Sequence, residues 1–285
     1  MANETRKIKT YPDSNQYIRT KSGMWVRNYV NINAPFADIN KTYTSADIQL
    51  FLTNEMQNST ARHTWLENEK FSHDTIVIVS DGYDFSKKQK ILSCVPKEAG
   101  IIGVNGSLTK WNVPGRLMDY YLVNNPYQQC LKYLSRKMRS MPKCIASLRS
   151  NAVFLNAYRG QIFKYMPVHE SLFSSKFSKE SRQNIDDYRN SICAAIHCAY
   201  LFGASKVILF CCDDSFSGER PGSEKLENGL YQYPQQRIAH ELIDAKLFWM
   251  HNEVYQEIET FHHDSGLNYE NASNIEENNL KDLLN

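Results

Sequence analysis

The chain lacks the features that would assign it to a membrane, to DNA or to a disulfide framework. Its longest apolar runs are Ile192–Phe202, broken by His197, and Val207–Cys212. Both fall short of the roughly 18–20 residues a bilayer span needs. An excess of charge is missing too: 33 Lys and Arg against 31 Asp and Glu leave +2 over 285 residues. That is too near neutral for a protein whose affinity rests on massed cations against a nucleic-acid backbone. The opening Met-Ala-Asn-Glu-Thr-Arg-Lys has no apolar stretch behind it, so no secretory leader is expected. The seven cysteines (Cys94, Cys130, Cys144, Cys193, Cys198, Cys211 and Cys212) are odd in number and form no C-x-x-C pair. Reduced, buried thiols in a cytoplasmic protein are the expectation, with neither a disulfide frame nor a zinc site. There is no internal repeat, and no Ser-His-Asp or reactive-cysteine signature.

What is present suits a folded domain with a sizeable core: 42% hydrophobic, 22% charged, and 12% aromatic residues, with 17 Tyr and 13 Phe. Residues 1–73 are polar and rich in Asn and Thr. One short helix stands out there, Ser45–Met56, with Ile48, Phe51, Leu52 and Met56 on one face and Ser45 as cap. This stretch reads as an N-terminal appendage. From residue 74 the pattern alternates. Apolar strands are predicted at Thr75–Val79, Gly100–Val104, Tyr120–Val123 and Lys206–Cys212, with weaker candidates at Lys143–Leu148 and Gln161–Tyr165. Helices are predicted at Phe85–Cys94, at Tyr127–Met138 behind the Asn125-Pro126 start, and from about Ser181 to Phe202. A further helix runs from Pro234 to about Phe261.

Strands apolar along their length and alternating with helices predict an α/β fold: a Rossmann-like, doubly wound, mostly parallel sheet. The expected organisation is an appendage (1–73), a nucleotide-binding core (74–214), a lid loop with a long helix (215–264), and a loosely held, acidic, Asn-rich tail (265–285). In such sheets ligands bind beyond the carboxyl ends of the strands, so the post-strand residues carry the functional reading. Asp81-Gly82 lies where a glycine lets backbone approach a phosphate, although an Asp-capped turn explains it equally. Asn105-Gly106-Ser107 and Asn124-Asn125 place amides at neighbouring strand ends. Amides both donate and accept, which suits a base edge or ribose at Asn105; turn and capping roles are the rival, favoured for Asn124 and held by Asn125 in any case. Asp213-Asp214 is the best chemical hint, as a pair that holds Mg²⁺ against a diphosphate or accepts from sugar hydroxyls. His240, after the lid, is a candidate general base. Tyr231 and Tyr233 can stack on a base or pack in the core. Arg182, Arg189 and Lys179 face either phosphate or solvent. His197 reads as a core residue, and His262-His263 as surface.

The order of these segments (IVIVSDGYDF, IIGVNGSL, DYYLVNNPYQQCLKYL, then SICAAIHCAYLFGASKVILFCCDDSF) resembles the 6-hydroxymethylpterin pyrophosphokinase-like family, also found in motility-associated glycosylation factors. It is similar as well to bacterial sialyltransferases that use CMP-sialic acid. The resemblance covers about residues 74–250. It implies a nucleotide at the strand ends, held by Asn105 and Asn125, with Arg189, Asn190 and Ser191 opening the late helix. Tyr231, Tyr233 and His240 would be the lid tyrosines and base. Both families carry Gly-Pro-Ser-Leu after the first strand; here the turn is Asp81-Gly82-Tyr83-Asp84-Phe85, and Gly82 alone survives.

The leading expectation is a transferase that moves a diphosphate or phosphoryl group with Mg²⁺ at Asp213 or Asp214. The alternative is sugar transfer from a CMP-type nucleotide sugar with His240 as base. A non-catalytic binding module on the same fold is the third. The expected partners are a nucleotide donor (ATP or a CMP-sugar) and a small-molecule or glycan acceptor, with a homo-oligomer left open.

Overall fold

The computed structural model describes residues 45–71, 73–82, 85–134, 140–167 and 190–213. It also describes the shorter pieces 9–10, 16–19, 25–27, 184–185, 187, 219, 223–226, 229–232, 243–244, 246–247, 258–263, 272–275 and 277–284. Near the N-terminus, β1 (Lys9–Thr10), β2 (Gln16–Arg19) and β3 (Trp25–Arg27) form a small antiparallel sheet. Helix α1 (Ser45–Thr60) and β4 (Thr64–Trp65) follow. The core then unfolds strand by strand: β5 (Thr75–Val79), α2 (Phe85–Lys88) with a 3₁₀ turn at Gln89–Cys94, β6 (Gly100–Val104), α3 (Ser107–Lys110) and β7 (Tyr120–Val123). Next come β8 (Lys143–Ser147), α4 (Ala152–Ala157), β9 (Ile162–Pro167), β10 (Asn184–Ile185), α5 (Ser191–Leu201) and β11 (Lys206–Phe210). A two-stranded hairpin, β12 (Glu224–Lys225) with β13 (Tyr231–Gln232), precedes β14 (Glu259–His263), β15 (Ser273–Asn274) and α6 (Glu277–Leu284).

The main sheet runs β10-β9-β8-β7-β6-β5-β11-β14-β15, with β4 beside β9, and every pairing in it is parallel. The chain steps outward from β5 to β10. Helix α5 then carries it back to lay β11 on the other side of β5. This is the doubly wound α/β arrangement, and the winding reverses between β5 and β11.

Alternate strand residues feed two cores, as a period of two requires. Ile76, Ile78, Leu122, Ile145, Val207 and Leu209 face the layer of α5; Val77, Val79, Tyr121, Ala146, Ile208 and Phe210 face the layer of α4 and the Gln89–Cys94 turn. Helix α5 is buried from Ile192 to Ala199 without a break, which is why it is apolar all round. It begins at Asn190, whose side chain accepts from the Ile192 and Cys193 N–H groups at 2.7 and 3.3 Å. Gly203 ends it with φ +76°.

Four expectations change. The late helix starts at Ser191, not near Ser181: Asn184–Ile185 instead pairs with Met166–Pro167 and extends the sheet. The helix predicted to reach Phe261 stops earlier, because Glu259–His263 is β14, in register with Lys206–Phe210. Strand β11 has two edges, and β5 covers one of them only. His262-His263 therefore belong to the sheet. The described end of the tail is held: α6 buries Leu280 completely, and Lys206 Nζ donates to the Leu283 carbonyl at 3.2 Å.

The fourth concerns α1. Met56, expected on its buried face, is 59% exposed, while Asn54, Glu55 and Asn58 are buried beside Phe51. The helix covers loop carbonyls rather than an apolar surface. Asn54 Nδ2 donates to the Pro126 and Arg149 carbonyls, and Asn58 Nδ2 to those of Leu148 and Ser150, at 2.7–3.2 Å. A buried carbonyl left without a donor is costly, and these amides supply donors to the loop. Lys164 Nζ ties the far end, donating to the Asn58, Ser59 and Ala61 carbonyls, where a cation also complements the helix dipole.

Six of the seven cysteines are buried, none is bridged, and Cys94 is exposed. Burial pushes the Cys130 thiol up to about 11 and raises Cys144 and Cys198 further. His197 is buried in the core as expected, with Nδ1 3.1 Å from Lys246 Nζ.

Candidate functional site

Because β11, β5, β6, β7 and β8 are adjacent and parallel, the residues that follow them share one rim. Asp213, Asp81-Gly82, Asn105-Gly106, Asn124-Asn125 and Ser147–Arg149 succeed one another along it. The rim has two halves of different character.

The half at β11 and β5 is filled. Gly82 donates its N–H to the Cys211 carbonyl at 3.1 Å. A Cβ at position 82 would overlap Asp213 Oδ1 and lie 2.6 Å from the Cys211 carbonyl oxygen. Asp213 is 1% exposed. Next to it, Asp81 Oδ1 accepts from the Gly106 N–H at 3.1 Å, while its Oδ2 lies 3.0 Å from Lys110 Nζ. The Lys110 ammonium also reaches the Asp81 carbonyl at 3.2 Å. Protein groups thus take up the carboxylate and the backbone N–H that a phosphate would meet. Among the described residues no three His, Cys, Asp or Glu side chains come together to hold a metal ion. Of the pair expected to hold Mg²⁺, Asp213 is buried against Gly82 and Asp214 lies outside the described residues.

The half at β6, β7 and β8 is open. It holds a cavity of about 300 Å³ lined by Asn105, Asn124, Asn125, Ser147, Arg149, Asp187, Asn190 and Ser191, with Phe51, Pro126, Tyr127 and Gln129 completing the wall. Asn105 has φ +53°, a left-handed conformation that Asn tolerates better than most side chains. Tyr121 OH fixes its carbonyl at 2.8 Å, and its Nδ2 donates to Ser80 Oγ at 3.3 Å. Asn125 Oδ1 accepts from the Tyr127 N–H at 2.9 Å, which is the capping bond expected before Pro126. Asn124 Oδ1 accepts from Ser191 Oγ at 2.6 Å, and its Nδ2 sits 3.5 Å from Asp187 Oδ2. Tyr165 OH donates to that same oxygen at 3.1 Å. Burial and the neighbouring carboxylate push the Tyr165 phenol well above its ordinary range, so it stays a donor.

On the opposite wall Arg149 Nε pairs with Glu55 Oε1 at 2.6 Å, and both residues are buried. The guanidinium lies 5.9 Å from the Phe51 ring centre, and Phe51 meets Tyr127 edge to face at 6.2 Å. Helix α1, read from sequence as part of an appendage, therefore contributes Phe51 to the cavity and Glu55 to its charge balance.

Of the residues singled out from sequence, the structure brings Asn105, Asn125 and Ser191 together at the cavity. It places Asp81, Gly82, Gly106 and Asp213 along the filled half. Tyr231 sits on β13, paired with Lys225 of β12. Arg189, Tyr233, His240 and Asp214 lie outside the described residues. Sequence reasoning missed Phe51, Ser147, Arg149 and Asp187, and gave Asn124 no ligand role. A signal existed for the first: Asn54, Glu55 and Asn58 are polar at helical spacing beside Phe51, a stripe that only a polar partner can bury.

No family model matches the chain, and no curated protein matches it in sequence. Among solved structures it superposes on the MAf glycosyltransferase from Magnetospirillum magneticum AMB-1 with a TM-score of 0.63 and 13% identity. What the two share is the fold. The superposition takes in 90% of this chain and 44% of that one, so the chain spans less than half the length of the protein it resembles. Neither the family models nor the curated proteins connect it with pterin pyrophosphokinases. Among the described residues no helix is long and apolar enough to cross a membrane.

Proposed function

We propose that this protein is a transferase of the sugar-transferring kind, taking a nucleotide sugar as donor in the cavity beyond β6, β7 and β8. One observation carries the reading: two amides at neighbouring strand ends are each fixed on one side by the protein. The Tyr127 N–H engages Asn125 Oδ1, which turns the Asn125 NH₂ away as a donor. Asn105 Nδ2 faces Ser80, which leaves Oδ1 as an acceptor. A donor beside an acceptor matches a nucleobase edge, such as the amine and ring nitrogen of cytosine, without adding charge. The cavity is of a size with ligand clefts at the small end of their range. The fold shared with a glycosyltransferase supports the same reading.

In the reaction, the acceptor hydroxyl oxygen forms a bond to the sugar's anomeric carbon as the bond to the donor phosphate oxygen breaks. The nucleotide leaves with that electron pair. The hydroxyl proton passes to a base, for which His240 is proposed on sequence grounds. Positioning by the cavity supplies most of the catalysis in this scheme.

Titration calorimetry with CMP, UMP, CTP and ATP, each with Mg²⁺ and with EDTA, tests the reading. The expected result is binding of a nucleoside monophosphate that EDTA leaves unchanged. Binding that requires Mg²⁺ would restore diphosphate transfer. No binding of any nucleotide at millimolar concentration would leave a non-catalytic module.

A further inference from the structure

We infer that Asn105–Gly106 is a latent self-modification site, where the Gly106 nitrogen can close on the Asn105 side chain and expel ammonia, and that Asp81 holds this reaction off. The chemistry is independent of what the cavity binds. The fold leaves little choice at either position. Asn105 has φ +53°, in the left-handed region that Gly, Asn and Asp enter most readily. Gly106 is buried, and a Cβ there would overlap Asp81 Oδ2 and lie 2.7 Å from Asp81 Cγ. The turn after β6 thus favours an asparagine followed by a glycine. That pair cyclises readily, because glycine has no side chain to shield the attacking nitrogen. The backbone nitrogen, having lost its proton, bonds to Asn105 Cγ as the Cγ–Nδ2 bond breaks. Nδ2 leaves as ammonia with the proton the nitrogen gave up. Water then opens the five-membered imide at either carbonyl, to aspartate or isoaspartate. Asn105 is half-buried and lines the cavity, so water reaches the ring.

The contacts around the bond oppose this closure. Gly106 donates its N–H to Asp81 Oδ1 at 3.1 Å. The nitrogen must shed that proton before it attacks, and the negative charge it acquires would face the carboxylate at once. A like charge that close disfavours ionisation. Lys110 Nζ, 3.0 Å from Asp81 Oδ2, tempers the carboxylate's charge. The Gly106 carbonyl accepts from the Thr109 and Lys110 N–H groups at 3.1 and 3.2 Å, which fixes the peptide plane beyond it. On the other side, Tyr121 OH holds the Asn105 carbonyl at 2.8 Å. Asn105 Nδ2 donates to Ser80 Oγ at 3.3 Å, which turns the amide back toward the end of β5. The carboxylate that favours a glycine at position 106 therefore also guards the bond that this glycine makes labile.

The test incubates the folded full chain, beside a free peptide of residues 103–108, in mildly alkaline buffer. Peptide mapping by mass spectrometry follows aspartate and isoaspartate at position 105. Wild type is expected to convert about tenfold more slowly than the peptide, or slower still, because the turn must open before it reacts. Asp81→Asn keeps an acceptor for the Gly106 N–H and removes the charge. Its rate should rise about tenfold over wild type, as one unit of acidity at the nitrogen would give. Lys110→Met breaks the same ion pair but leaves the carboxylate, and its rate should stay at or below that of wild type. The opposite signs separate guarding from loosening, since a turn merely loosened would react faster in both variants. Wild type converting as fast as the peptide would overturn the inference, and this arm needs no variant. A folded Asp81→Asn protein that converts no faster than wild type would overturn it too. So would equal acceleration in Asp81→Asn and Lys110→Met.

Discussion

The two halves of the rim occupy equivalent places in the fold, yet they do opposite things. At β11 and β5, where the winding reverses and where doubly wound sheets commonly bind ligands, Gly82 donates to the Cys211 carbonyl, Asp81 takes the Gly106 N–H and Lys110, and Asp213 is buried against Gly82. At β6 to β8, the loops stand back and α1 closes the far wall with Phe51 and Glu55. The lesson is that topology supplies a row of strand ends, and side-chain chemistry decides which of them stay empty. In the filled half, the Gly82 N–H and the Asp81 carboxylate meet protein partners. In the open half, Asn105 and Asn125 each spend one end of the amide on the protein and line the cavity.

Substitutions on the two sides should therefore part company. The largest effect on stability is expected from Glu55→Ala, which breaks the buried pair with Arg149 and should cost about 3–5 kcal/mol. It should also weaken nucleotide binding, since Arg149 lines the cavity. Chemical denaturation together with titration reads both effects. Gly82→Ala should cost about 1–3 kcal/mol, because a methyl group there overlaps Asp213 and the Cys211 carbonyl. Nucleotide affinity of the remaining folded protein should be unchanged. If affinity falls in step with stability, the halves are not independent. Asn125→Asp keeps the acceptor for the Tyr127 N–H but replaces the donor NH₂ with a charged oxygen. Affinity should drop about tenfold while stability hardly moves. Asp81→Asn should cost only about 0.5–1 kcal/mol, since the Lys110 pair is partly exposed and the amide oxygen still receives the Gly106 N–H.

Thiol labelling sharpens the contrast without any mutation. Cys211 and Cys212 are buried beneath the filled half, and Cys212 Sγ lies 3.5 Å from the Ile78 carbonyl. At pH 8 the native protein should take up one maleimide per chain, at Cys94, and seven after denaturation. Burial raises the Cys130, Cys144 and Cys198 thiols, so their thiolate fraction at that pH lies below that of a free cysteine. Rapid labelling at Cys211 or Cys212 would show that the filled half opens.

Much of the fold could be read from the residues. Runs such as Thr75–Val79 and Lys206–Phe210 are apolar on both faces because two helical layers cover them, and that is the mark of a parallel sheet. Strands β10 and β15 are two residues each, too short to leave a periodic trace. Strand β14 carries His262-His263, which reads as surface until β11 is seen to need a second neighbour. The site was half legible. Asn105, Asn125 and Ser191 follow strands or open a helix, where the general rule points. Phe51 and Asp187 do not follow a predicted strand of the core, and they reach the cavity only through tertiary packing. Helix α1 defeats an amphipathic reading because its buried stripe is polar: Asn54 and Asn58 pair with carbonyls some 70 to 95 residues away in sequence.

The central claim, that the open half receives the nucleotide, is tested most directly by a crystal structure of the protein soaked with the monophosphate that binds best. The account predicts the base between Asn105 and Asn125. A nucleotide whose phosphate lies at Gly82 and Asp213, with those two residues drawn apart to admit it, would contradict it.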